Sequence, residues 1–132
     1  MDKLITFAVP CYNSAAYMEH CVDTLLQGGS DIEIILVDDG STKDDTPAIC
    51  DRYQEQYPDI VRAIHQPNGG HGEGVNQGIR NARGIYYKVV DSDDWVDVPA
   101  LKKALDKLRQ FVRDGKLVDM LVCNYVYEHV ED

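Results

Sequence analysis

Positive charge is what this sequence most conspicuously lacks. Thirteen lysines and arginines stand against 23 aspartates and glutamates, for a formal net charge of −10. A phosphate backbone needs a basic face to dock on, so nucleic acid is excluded as the expected partner. Long apolar runs are missing as well. None approaches the roughly 20 residues that a membrane span requires, and Met1-Asp2-Lys3 leads straight into a strand-like run rather than into a signal peptide. The segment therefore reads as cytoplasmic, or as the cytoplasmic part of something larger. Cysteine is scarce and scattered: the four residues Cys11, Cys21, Cys50 and Cys123 include no pair at C-x-x-C spacing. That argues against a zinc site or a disulfide framework and for reduced thiols in or near the core. No Gly-Lys-Ser/Thr follows the glycine-rich stretch from Gly69 to Gly74, which excludes a Walker A phosphate loop.

What remains is an ordinary globular composition, with 44% apolar and 27% charged residues in 132 positions. A chain of this length forms one domain and buries roughly two-thirds of the surface its unfolded form exposes. Strand-like and helix-like runs alternate along it, which predicts an α/β fold with a mostly parallel sheet of about five strands and helices on both faces. Strands are expected over 4–9, 32–37, 60–66, 85–90 and 120–126. A helix is expected from Ser14 to Gln27, with Tyr17, Cys21 and Leu25 on one face and Gly28-Gly29 ending it. Thr46 as N-cap and Pro47 at the first helical position open a second helix that closes at Tyr57-Pro58. A short third helix runs to Ala82. Val98-Pro99 opens a fourth, with Leu101, Leu105, Leu108 and Val112 sharing a face.

In open α/β sheets ligands bind outside the carboxyl ends of the strands. Three segments reach that edge carrying polar chemistry: Pro10-Cys11-Tyr12-Asn13, Asp38-Asp39-Gly40-Ser41 and Asp91-Ser92-Asp93-Asp94. Asp44, Asp45 and Asp97 read as solvated loop or helix-cap aspartates; the others follow directly on apolar runs, which suits a binding edge better. The Asp-x-Asp within Asp91 to Asp94 places short carboxylates where they can share one hard cation, Mg²⁺ or Mn²⁺, bridging to diphosphate oxygens. The competing reading makes Asp93 or Asp94 a cap on the turn that follows. Of the Asp38-Asp39 pair, one residue is expected to serve the turn that Gly40 permits, and this role falls to Asp38. Asp39 is then free to accept the imide N–H of a uracil. Tyr12 stands where its ring can lie on a flat base.

Taken together these residues resemble family 2 of the glycosyltransferases, which adopt the GT-A fold. The family pattern of a strand ending Pro-x-Tyr-Asn is met by Pro10 to Asn13, and its Val-Asp-Asp-Gly-Ser by Val37 to Ser41. Asn68-Gly69-Gly70 with Asn76 and Gly78-Ile79, Ala82-Arg83-Gly84, and Asp91 to Asp94 follow in order. The resemblance implies a sugar–nucleotide donor, most often UDP-linked, and inverting transfer to an acceptor glycan or lipid, as in polysaccharide biosynthesis. It implies nucleotide contacts from Pro10, Tyr12, Asn13, Asp39, Gly70, Asp91, Ser92 and Asp93, with Asp91 or Asp93 on the ribose and the metal on Asp93, Asp94 or Asp91. Val75 stands where many members carry an arginine. No catalytic base is recognised within the segment. Residues 1–132 are therefore expected to be the donor-binding half of a longer enzyme whose base lies downstream. The rival readings are a non-catalytic nucleotide-sugar-binding module and a nucleotidyltransferase. The latter usually follows its first strand with a glycine-rich basic loop, which Pro10 to Ser14 is not.

Overall fold

The computed structural model describes residues 3–115 and 127–129. In chain order the elements are β1 (Lys3–Cys11), α1 (Met18–Leu26), β2 (Ile32–Asp39), α2 (Thr46–Gln56), β3 (Val61–Gln66), α3 (His71–Asn81), β4 (Gly84–Val89), β5 (Asp94–Val96), α4 (Val98–Arg113) and β6 (Tyr127–His129). The first four strands form one parallel sheet in the order β3-β2-β1-β4, while β5 and β6 form a separate antiparallel pair. The α/β architecture expected from the alternating pattern is thus present. The strand expected over 120–126 lies outside the described residues.

Continuous apolar runs mark strands buried on both faces, and β1 and β2 behave accordingly. Phe7, Val9 and Cys11 of β1 join Ile34 and Leu36 of β2 in a core shared with Met18, Cys21, Val22 and Leu25 of α1 and Leu101, Leu105 and Leu108 of α4. Burying each such leucine or isoleucine side chain contributes about 1.5–3 kcal/mol. On α3, Gly78 lies so close to β1 that a Cβ there would meet that of Ala8 at 2.7 Å. Gly74, at the end of the glycine-rich stretch, packs likewise, with Pro10 Cβ 3.2 Å from where its own Cβ would stand. Cys11, Cys21 and Cys50 are buried free thiols, as their scattered spacing suggests; Cys123 lies outside the described residues.

Three local expectations need correction. The first helix starts at Met18, four residues late, and Tyr17 is half exposed instead of sharing the buried face. The cause is tertiary: the amides of Ser14 and Ala15 are taken by Thr46 Oγ1 and Asp44 Oδ2, which holds residues 14–17 in a turn. Thr46 is not the N-cap of α2; Asp45 occupies that position, without a side-chain cap bond. The Thr46 hydroxyl instead donates to Asp44 Oδ1 at 2.6 Å. Val112 is 36% exposed, because the buried stripe of α4 ends at Leu108.

The strand order explains where a ligand fits. From β1 the chain runs outward through β2 to β3, then crosses to β4 on the other side of β1. The carboxyl end of β1 is therefore the switch point, where the connecting segments diverge and leave a crevice. Register places Cys11 opposite Asp38, and Asp39 opposite Gln66, so these strand ends finish level.

Candidate functional site

A cavity of about 580 Å³ opens at that edge. All eight residues expected to contact a nucleotide line it: Pro10, Tyr12, Asn13, Asp39, Gly70, Asp91, Ser92 and Asp93. Asp94, expected as a metal ligand, is buried beside them at 4% exposure. Residues to which the sequence assigned no ligand role also reach the cavity, notably Ser14, Tyr17 and the motif residue Asn68. A pattern of chemically suggestive side chains does not mark Ser14, whose importance comes from what it touches.

The loop leaving β1 is tied by hydrogen bonds to the 41–46 segment. Asn13 adopts a positive φ of 47°, a conformation asparagine tolerates better than most residues. Its amide donates to Ser41 Oγ at 2.9 Å, and its Oδ1 accepts from the Lys43 amide at 3.1 Å. Ser14 N donates to Thr46 Oγ1 at 2.7 Å and Ala15 N to Asp44 Oδ2 at 3.0 Å. Asp44 is thus a buttress of the site rather than a solvated cap, and burial, which would raise its carboxyl, is outweighed by the bonds from Thr46 and Ala15 that lower it. Against this anchored loop the Tyr12 ring stands 50% exposed, positioned to cover a planar ligand.

The two aspartates that end β2 divide their work. Asp38 Oδ1 accepts from the Ser41 amide at 3.1 Å, closing the turn, and its Oδ2 meets His65 Nδ1 at 2.8 Å. Asp39 accepts from Gly69 N at 2.7 Å and Gln66 Nε2 at 2.8 Å on Oδ1, and from Gly70 N at 2.9 Å on Oδ2. Burial pushes its carboxyl upward, but those three donors prevail and hold it below the usual range, so it is ionised. A carboxylate offers about four acceptor positions, which leaves one for a donor arriving in the cavity. The turn that brings Asp39 there requires Gly40, at φ 71° and with Asn68 N only 2.7 Å from where a Cβ would stand.

On the far side of β1, Asp91, Asp93 and Asp94 each offer a carboxylate oxygen within 4.8 Å of the other two. Three hard oxygen donors at that spacing fit a divalent cation such as Mg²⁺ or Mn²⁺. The Asp94 amide closes a turn onto Asp91 O at 3.0 Å, which folds the Asp-x-Asp segment back on itself. Behind it the Cys21 thiol is pushed well up, first by burial and then by the negative charge of these aspartates. Asp97, beyond the cluster, is the cap it was expected to be, accepting from Ala100 N at 3.2 Å.

A parallel sheet with the Tyr12–Asp39 edge and the acidic Asp91–Asp94 loop flanking its switch point matches the GT-A class of fold, and solved glycosyltransferases superpose on it. TarS of S. aureus matches 83% of this chain and 20% of its own with a TM-score of 0.70 at 28% identity. A mannosyltransferase of Pyrobaculum calidifontis, solved with GDP-Man and Mn²⁺, matches 80% of this chain and 32% of its own with a TM-score of 0.69 at 27% identity. The chain belongs to glycosyl transferase family 2, whose family model matches residues 6–128. Glycosyltransferase GlyG of Streptococcus pneumoniae is 42% identical over 127 residues, covering 95% of this chain and 40% of GlyG. The chain thus spans less than half the length of that relative. Among the described residues no helix is long and apolar enough to cross a membrane.

Proposed function

We propose that this chain is the donor-binding half of an inverting, metal-dependent glycosyltransferase that takes a UDP-sugar and works with a catalytic base from a later part of the parent protein. The observation that carries the reading is the pairing, across one cavity, of the Tyr12–Asp39 edge with the Asp91–Asp93–Asp94 cluster. Tyr12 covers the base, and Asp39 accepts the uracil imide proton with its remaining lone pair. Asp91 or Asp93 meets the ribose. Among the three carboxylates, Asp93 and Asp94 hold Mg²⁺ or Mn²⁺, with Asp91 as the third candidate. The cation would neutralise the diphosphate and stabilise the leaving group; without it so acidic a cleft would repel a nucleotide.

Support comes from the relatives. TarS has been solved in complex with UDP and with UDP-GlcNAc, and its match to this chain in those structures has TM-scores of 0.68 and 0.67. The mannosyltransferase shows the fold holding Mn²⁺ with a guanine nucleotide, so the base has to be tested separately from the metal. The acceptor is a glycan or a lipid, reached from the cytoplasmic side.

Binding decides the matter. A ligand at 100 times its dissociation constant stabilises a fold by about 2.7 kcal/mol. UDP with Mn²⁺ should therefore raise the Tm by several degrees, UDP with EDTA should leave it unchanged, and Asp93→Ala should lose the metal-dependent shift. In calorimetry with Mn²⁺, UDP should bind at least about tenfold more tightly than CDP, whose ring nitrogen would set an acceptor against Asp39 at a cost of roughly 1–3 kcal/mol. Equal shifts with and without metal would remove the cation from the site, and a preference for GDP would remove the uridine assignment.

A further inference from the structure

The two halves of the cavity are joined by a pair of serine hydroxyls. Ser92, in the middle of the acidic loop, donates to Ser14 Oγ at 2.8 Å. Ser14 Oγ also accepts from the Tyr12 amide at 3.0 Å and donates to the Tyr12 carbonyl at 3.2 Å. One hydroxyl has a single proton and two lone pairs, so these three bonds saturate it: the Tyr12 backbone on one side and Ser92 on the other. Ser14 itself is 6% exposed, and its amide is bound to Thr46 Oγ1. The loop that presents Tyr12 is therefore anchored to the 41–46 segment, and the loop that presents the aspartates leans on it through Ser92.

We infer that the Ser92–Ser14 hydrogen bond couples the two subsites, so that base stacking on Tyr12 and cation binding at the aspartate cluster each strengthen the other even with no diphosphate joining them. The inference rests on the proposed placement of base and cation. Its physical basis is shared ordering. Fixing either loop costs conformational entropy, and a ligand that fixes one loop spares its neighbour part of that cost when a bond joins them. Ser14 and Ser92 act here as positioning residues, since the effect is transmitted through the Tyr12 backbone and the acidic loop rather than through contact with a reacting atom.

Uridine is the probe that isolates this effect, because it carries the base and ribose, no phosphate and no charge. Its ribose is placed beside the aspartates, so the Ser92 variants, rather than the cation dependence alone, identify the part of the coupling that passes through the serine bond. With the 132-residue chain, uridine affinity is read by equilibrium dialysis with and without saturating Mn²⁺, and Mn²⁺ affinity by EPR with and without saturating uridine. Linkage requires the two ratios to agree. The expected ratio is about threefold and at most about tenfold, because a bond already formed in the free protein passes on no more than its own equilibrium worth. Ser92→Ala should bring it to within about twofold of unity, whatever it does to either affinity alone, since a uniform loss cancels in the ratio. Ser92→Thr, which keeps the hydroxyl, should restore it.

Full coupling in Ser92→Ala, or no coupling in the unsubstituted chain when both ligands bind, would overturn the inference and leave the donor-site reading standing. Loss of coupling in both Ser92→Ala and Ser92→Thr would assign the effect to packing and overturn it too. Failure of uridine to bind at all would overturn both the base assignment and the inference built on it.

Discussion

Two adjacent carboxylates, Asp38 and Asp39, show how far identity alone can be read and where geometry takes over. An Asp-Asp-Gly after an apolar strand announces a turn with a carboxylate to spare. Strand alternation then sends the two side chains to opposite faces, and their neighbours sort them: Asp38 to Ser41 and His65, Asp39 to the Gly69 and Gly70 amides. The pairing with His65 was not legible, because residues 27 apart meet only through the β2–β3 register. His65 bridges Asp38 and Asp51, at 2.8 Å and 2.7 Å, and its imidazole is raised above the ordinary histidine value, chiefly by the Asp51 bond and next by that of Asp38. A folded pKa above the unfolded one means that the stabilisation is fully present below about pH 6.5, the unfolded histidine value. It is lost as pH rises through the raised folded value. With 41% of the His65 side chain exposed, solvent screening keeps the effect under about 1 kcal/mol. His65→Gln should accordingly lower the Tm more at pH 6 than at pH 9, measured by thermal denaturation in matched buffers. A deficit that is equal at both pH values, or larger at pH 9, would show that the imidazole charge does not contribute.

At the scale of elements, the strands of the parallel sheet and the start of α4 at Val98 were legible, whereas the start of α1 and the short β5 were not. Apolar runs bounded by Pro10 and Asp38 announce β1 and β2 because buried parallel strands have no polar face to confuse the pattern, and Gly84 marks the start of the half-buried edge strand β4. The start of α1 depends on Asp44 and Thr46, about thirty residues away, and no local signal at Ser14 could reveal that they take its first amides. The same holds for Ser14 as a link between loops. The turn after β2 combines both kinds of information: Gly40 is locally suggestive, and its contact with Asn68 makes it obligatory. Gly40→Ala would force an alanine into a left-handed conformation, costing about 1–2 kcal/mol. It would also drive a methyl to 2.7 Å from Asn68 N, adding about 1–3 kcal/mol of overpacking. A total loss of roughly 2–5 kcal/mol is expected in urea denaturation, with a lower midpoint and unchanged slope. Nucleotide binding should weaken further, since the displaced Asn68 adjoins the Gly69 and Gly70 amides that orient Asp39. A loss below about 1 kcal/mol would mean that the turn relaxes freely and that Gly40 is a convenience of the loop.

For the molecule as a whole, the question is whether binding a donor suffices for transfer. Inverting displacement needs a base within hydrogen-bond reach of the acceptor hydroxyl, and such a base contributes typically 10²–10⁴-fold in rate. The carboxylates that line the cavity are Asp39, Asp91 and Asp93. Asp39 accepts from three protein donors, and the proposed donor site assigns its remaining lone pair to the base and the other two carboxylates to ribose and cation. Glu73, near the glycine-rich stretch, is engaged by Arg80 at 3.2 Å. The sequence covers 40% of GlyG, so in relatives of that length ample chain remains to build an acceptor wall and carry a base. The 132-residue chain with Mn²⁺ should therefore bind UDP-sugars, hydrolyse them slowly at most, and transfer no sugar to simple acceptors above the no-enzyme rate. Incubation with a panel of radiolabelled UDP-sugars, followed by product analysis, tests this. A longer form of the protein that includes the segment after the donor domain should transfer at least about 10²-fold faster. Robust transfer by the 132-residue chain itself would mean that a base exists within it. Glu73→Gln would then be the first substitution to make, because Glu73 is close in sequence to Gly70 of the cavity lining and is held by Arg80 and Gln77 rather than by the residues proposed for base and cation.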